Sequence, residues 1–75
     1  MMFKIYFKNF NGGESERHFE LLEECCVAFF RNLGPSVQRI ELHEKTGEDS
    51  ERLIIQAYRM AENEHFKISR VFNIF

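Results

Sequence analysis

The sequence predicts an α+β fold, a two-layer sandwich with one helix packed on a four-stranded mixed sheet in the order β-α-β-β-β. Three observations point there. Residues 2–8 and the tail from Phe66 alternate apolar and polar residues with a period of two. Between residues 16 and 33 the apolar residues recur at steps of three and four. Gly and Pro, which punctuate elements, number only four and one in 75 residues.

The first element, "MFKIYFK", places Phe3, Ile5 and Phe7 on one side and Lys4, Tyr6 and Lys8 on the other. "NFNGG" then ends it. The helix follows over 16–33, with Phe19, Leu22, Cys26, Phe29, Phe30 and Leu33 as its buried stripe, Ser15 as N-cap and Gly34 in the left-handed position before Pro35. "VQRIELHEK", 37–45, reads as a strand with Ile40 and Leu42 on one parity and Val37 on the other. "TGEDS" is a turn. Residues 52–60 suit a strand or a helix face, and Ile-Ile and Tyr between turn clusters favour a strand. After "AENE" comes the last strand, "HFKISRVFNIF", which contributes Phe66, Ile68, Phe72 and Ile74 to the core. A helix joining the first two strands makes them parallel, through a right-handed crossover. The remaining strands form an antiparallel meander, and the sequence leaves open whether the first strand lies beside the second or the fourth.

The whole chain, 1–75, is read as one domain, because a chain this short has room for a single core. Its 44% hydrophobic and 15% aromatic content exclude disorder. A net charge of −2 argues against bulk binding of nucleic acid, without excluding a local basic patch. "MMFKIYFKNF" is too polar for a signal-peptide core and no apolar run approaches a membrane span, so a soluble, cytoplasmic protein is expected.

Motifs for chemistry are sparse. Cys25 and Cys26 are neighbours on a helix and point about 100° apart, which suits neither a metal pair nor a disulfide; Cys26 falls on the apolar stripe and Cys25 at its margin. His18, His43 and His65 show no metal-ligand spacing. "NGG" lacks the Lys of a phosphate-binding loop and is followed by glutamates. The sequence therefore predicts no enzyme, no cofactor and no metal.

One helix shields one sheet face. The other face is expected to hold Lys4, Tyr6, Lys8, Lys67, Val71 and Phe75, with Tyr58, Ile54 and Met60 from the third strand, a mixture of aromatic, aliphatic and basic residues. Arg70 interrupts the core parity of the last strand; it belongs at the rim of the core, with Glu44 or a helix glutamate as partner, or at an interface. Glu16, Glu20, Glu23 and Glu24 give the helix an acidic face, suited to a basic partner surface. The expected function is a small protein-interaction module, an acidic binder or inhibitor acting through the sheet face, the helix face or both. A homodimer that buries the sheet face fits the same pattern. The alternative is a platform for single-stranded nucleic acid built on Lys4, Tyr6 and Lys8.

Overall fold

The computed structural model describes residues 2–70. The elements are β1 (Met2–Asn9), β2 (Glu14–Phe19), α1 (Leu22–Arg31), β3 (Val37–Lys45), β4 (Glu51–Tyr58) and β5 (Lys67–Arg70). The expected α+β class with one helix holds. Among the described residues the sheet has five strands in the order β2-β1-β3-β4-β5, and all neighbours are antiparallel.

The expected helix over 16–33 is corrected to 22–31, because residues 14–19 turn back along β1 as a strand. "NFNGG" is the loop of that hairpin. The Asn9 amide donates to the Gly13 carbonyl at 2.8 Å, and Asn11 Oδ1 accepts from the Gly13 amide at 2.8 Å. Gly12 sits at φ +90°, a conformation that costs little only without a Cβ. This extra strand also overturns the expected parallel pair. The chain reverses once before the helix, so β3 meets β1 antiparallel, with Ile5 opposite Leu42 and Phe7 opposite Ile40.

The helix ends differ from expectation too. Ser15 lies in β2, and the N-cap is Leu21, whose side chain makes no capping bond; Glu23 and Glu24 in the first turn favour the dipole instead. At the other end Asn32 closes the helix. Its amide and its side-chain Nδ2 both donate to the Ala28 carbonyl, at 3.1 and 2.6 Å, and Gly34 does not take the left-handed conformation. Ten residues are too few for a helix stable alone, so α1 depends on packing. Cys25, Ala28 and Phe29 are its buried positions, while Cys26 is half-buried and Phe30 is exposed. Cys25, not Cys26, is thus the core cysteine, and its burial, with Cys26 beside it, pushes the thiol up to about 12.

The helix packs on β1, β2 and β3. The core beneath it comprises Phe3, Ile5, Ile40, Leu42, Ile54, Ile55, Ala57 and Val37, with Phe7, Phe19, Leu33 and Phe66 at its margin. Two register shifts complete it. Between β1 and β3 the register skips Gln38, which turns Val37 into the core although its parity differs from that of Ile40. Between β3 and β4 it skips Ile54, so both Ile54 and Ile55 are buried. Beyond that bulge the parity of β4 is inverted. Arg52 comes opposite Glu44 on the helix side, and Leu53 opposite His43 on the other.

Ile68, expected in the core, is 51% exposed, because α1 does not reach β5. Arg70 lies opposite Ile55 and is exposed. The buried Glu44 carboxylate binds Arg52, through Nε at 2.6 Å and through Nη2, in place of the expected pairing with Arg70. The expected core positions Phe72 and Ile74, and the expected surface positions Val71 and Phe75, lie outside the described residues.

Candidate interaction surface

Alternation along each strand and the register between strands fix the helix-free face as three transverse rows. The first runs His18, Lys4, His43, Leu53. The second runs Glu16, Tyr6, Glu41, Gln56, Ser69. The third runs Glu14, Lys8, Arg39, Tyr58, Lys67. Lys4, Tyr6, Lys8, Tyr58 and Lys67 lie on this face where the sequence put them, while Ile54 is buried instead. Among the described residues the face is a charge lattice over two of its rows, with three cations and Tyr58 following Glu14 along the third.

In the lattice the charges neutralise one another. Lys4 Nζ lies 2.7 and 2.9 Å from the two Glu51 carboxylate oxygens and 3.6 Å from Glu16. Burial pulls the Lys4 pKa down, but the hydrogen bond and charge of Glu51, with those of Glu16, outweigh it and leave it raised. The hydrogen bond from Lys4 holds the Glu51 carboxyl below its usual range; burial opposes this, and the charges of Lys4, His43 and Lys45 add to it. Glu41 sits between His43 Nε2 at 2.8 Å and Arg39 Nε at 3.3 Å. Glu16 also approaches His18 Nε2 at 3.4 Å. The Tyr6 hydroxyl donates to Glu14, which raises the Tyr6 pKa. Lys4 and Tyr6, the first two members of the expected Lys4-Tyr6-Lys8 platform, are therefore engaged within the protein.

The third row differs. Lys8 and Arg39 face each other directly across β1 and β3, Tyr58 faces Arg39, and Lys67 faces Tyr58. Like charges directly opposite on neighbouring strands are destabilising. Arg39 has Glu41 and the Tyr6 ring, 6.0 Å from its guanidinium carbon. Lys8 and Lys67 make no ion pair with any described residue. Beside the row lies an open depression of about 340 Å³, lined by Lys8, Gln38, Arg39, Gln56, Tyr58, Arg59 and Met60. Tyr58 is 37% exposed and Met60 76%.

Arg59 adds a fixed positive charge at the edge of this depression, and sequence reasoning missed it. It is buried, yet its hydrogen bonds go to carbonyls alone. Nε donates to Val37 at 3.0 Å, Nη2 to Gly34 and Pro35 at 2.9 and 2.8 Å, and Nη1 to Glu62 and Glu64 at 3.1 and 3.4 Å. Phe66 and Phe10 flank the guanidinium at 4.2 and 5.4 Å. All five N–H donors are used, so Arg59 ties the α1–β3 loop to the turn after β4 and is not free to grip a ligand. The signal available in the sequence was the parity of "QAYRM": Arg59 follows Ala57 on the core side.

The expected acidic helix face does not exist as one surface. Glu16 belongs to the sheet lattice, Glu20 to the turn before α1, and only Glu23 and Glu24 stand on the helix. Glu20 lies beside Met2, Lys45 and the β3–β4 turn, at the end of the sheet away from the cationic row. The described residues hold no group of three or more His, Cys, Asp or Glu side chains that could bind a metal ion, and no helix long and apolar enough to cross a membrane. No protein-family model, curated protein or solved structure matches the chain.

Proposed function

We propose that this protein is a non-catalytic binding module that receives an anionic partner on the Lys8–Arg39–Tyr58–Lys67 row. The observation that carries the reading is the register. It lines up three cations and one aromatic ring across four strands, two of the cations directly opposite each other, while Glu51 and Glu14 are engaged by Lys4 and Tyr6 and Glu41 is shared between His43 and Arg39. A partner's carboxylates or phosphates relieve the Lys8–Arg39 repulsion, and Tyr58 and Met60 add apolar contact of the kind enriched at interfaces.

An oligoglutamate peptide titrated into isotope-labelled protein tests this. Amide shifts should concentrate at residues 8, 39, 58 and 67, and Lys8→Glu with Lys67→Glu should abolish them. Shifts centred on α1, or a charge-reversed variant that binds unchanged, would overturn the reading.

A second reading rests on Val27 and Phe30. These lie one turn apart on the outer face of α1, both about half exposed, with Phe30 edge-on to Phe29 at 5.1 Å. They suit a protein partner or a second copy of the chain. A monomer at every concentration in sedimentation equilibrium removes the second copy.

A further inference from the structure

We infer that the anionic partner is single-stranded nucleic acid, with one unstacked base laid on the Tyr58 ring and the flanking phosphates held by Lys8, Arg39 and Lys67. This rests on the proposed anion-binding row and names its ligand. Two features favour a nucleic acid over an acidic peptide. The first is the order along the row: an aromatic ring stands between cations, the arrangement that pairs base stacking with phosphate contact. An acidic peptide uses the cations and has no planar group for Tyr58. The second is the lining of the depression. Gln38 and Gln56 bring two neutral amides, each both donor and acceptor, which match the mixed donors and acceptors of a base edge, whereas a carboxylate uses only their N–H donors.

The placement of charge limits the ligand to a short stretch. Lys8 and Lys67 are separated by three strand spacings, roughly 14 Å. Glu14 closes the row at the β2 end, and Glu64, which accepts from the Met60 amide at 3.1 Å, bounds the site near Met60. The net charge of −2 repels a long strand that leaves the row. A duplex does not fit this chemistry, because its bases are already stacked and Tyr58 meets only backbone.

Fluorescence anisotropy of a short labelled oligouridylate, alongside an oligoglutamate of equal length, tests the inference. The oligouridylate should bind more tightly, and its affinity should fall as salt rises from about 50 to 200 mM. Lys8→Gln and Lys67→Gln should each flatten the salt dependence by about one unit of slope. Tyr58→Ser should weaken binding roughly five- to 150-fold, since base stacking on an aromatic side chain carries about 1–3 kcal/mol. Tyr58→Phe keeps the ring and should bind as the parent does, which separates stacking from any change in fold. Equal binding of the two probes, or a Tyr58→Ser variant with unchanged affinity, overturns the nucleic-acid inference and leaves the anion-binding row standing. Binding of neither probe at low salt overturns both.

Discussion

At the scale of single residues, Arg59 carries more of the structure than any other polar side chain described. A buried guanidinium without a carboxylate is unusual, because taking its charge out of water is costly unless every donor is satisfied. Here five carbonyls satisfy five donors, and two phenylalanine rings offer their faces to the cation. Lysine cannot reproduce this, since its three donors radiate from one point. Arg59→Met fills similar space but strands the carbonyls of residues 34, 35 and 37, each at a cost of about 1–3 kcal/mol where water cannot reach. Arg59→Lys is expected to lower the unfolding free energy by about 2 kcal/mol and Arg59→Met by about 3 kcal/mol or more, read from urea midpoints at unchanged slope. A loss below about 0.5 kcal/mol for both would show that the loops hold without the clamp. The sequence hid this residue because an arginine followed by methionine reads as surface. Its parity with Ala57 points to the core side, but its burial comes from two loops closing over it, which the pattern of one strand does not foretell.

At the scale of elements, legibility followed apolar content. Residues 37–45 carry alternating Ile40 and Leu42 and were readable to both ends. β4 was readable as a strand, though not its bulge, because a one-residue register skip is set by pairing with β3 and not by composition. β2 was invisible. "ESERHF" has one apolar residue, Phe19, which falls three before Leu22 and seven before Cys26 and so joins the helical stripe. That strand is held by its partner: Glu14 accepts from Tyr6, and Glu16 meets Lys4. Missing it inverted the predicted direction of β3 and assigned Glu16 and Glu20 to a helix they do not enter.

The β4 bulge also makes a prediction. By inverting parity it sets Glu51 on the helix-free face within reach of Lys4, where simple alternation would aim it at the core side. Glu51 titrates below its usual range in the folded chain, so its contribution is complete above the ordinary carboxylate pKa and is lost as pH falls through the lowered one. Lys4 titrates above its usual value, so its contribution is complete below that value and is lost as pH rises through the raised one. The stability difference between the parent and Glu51→Gln should therefore form a plateau at neutral pH, of about 1 kcal/mol for a pair on the sheet surface. It should decline at both the acid and the alkaline end. A difference that is flat across the whole range would mean that the two charges are not coupled.

At the scale of the whole molecule, protection should fall from the centre of the sheet to one side of it. β1 and β3 are the inner strands beneath the helix, and Ile5, Ile40 and Leu42, fully buried, lie on them. β4 follows with Ile54 and Ala57 buried. Among the described residues β5 pairs with β4 at four positions, and all four are exposed. β2 is exposed along nearly its whole length but gains the helix above it and a tight hairpin below. Local opening draws on regions with few buried apolar contacts. Amide hydrogen exchange should accordingly be slowest in β1 and β3, intermediate in β4 and α1, faster in β2 and fastest in β5. Side-chain truncation should follow the same gradient. Ile40→Ala removes a fully buried side chain and should cost about 2–5 kcal/mol. Ile68→Ala removes one already 51% exposed and should cost less than about 1 kcal/mol. The cationic row crosses this gradient, with Lys8 and Arg39 on the slowly opening centre and Lys67 on the strand that opens first. A ligand that bridges the row must therefore protect β5 more than β1, because β5 has the most opening left to suppress. Equal added protection along the whole row would show that the ligand does not span it.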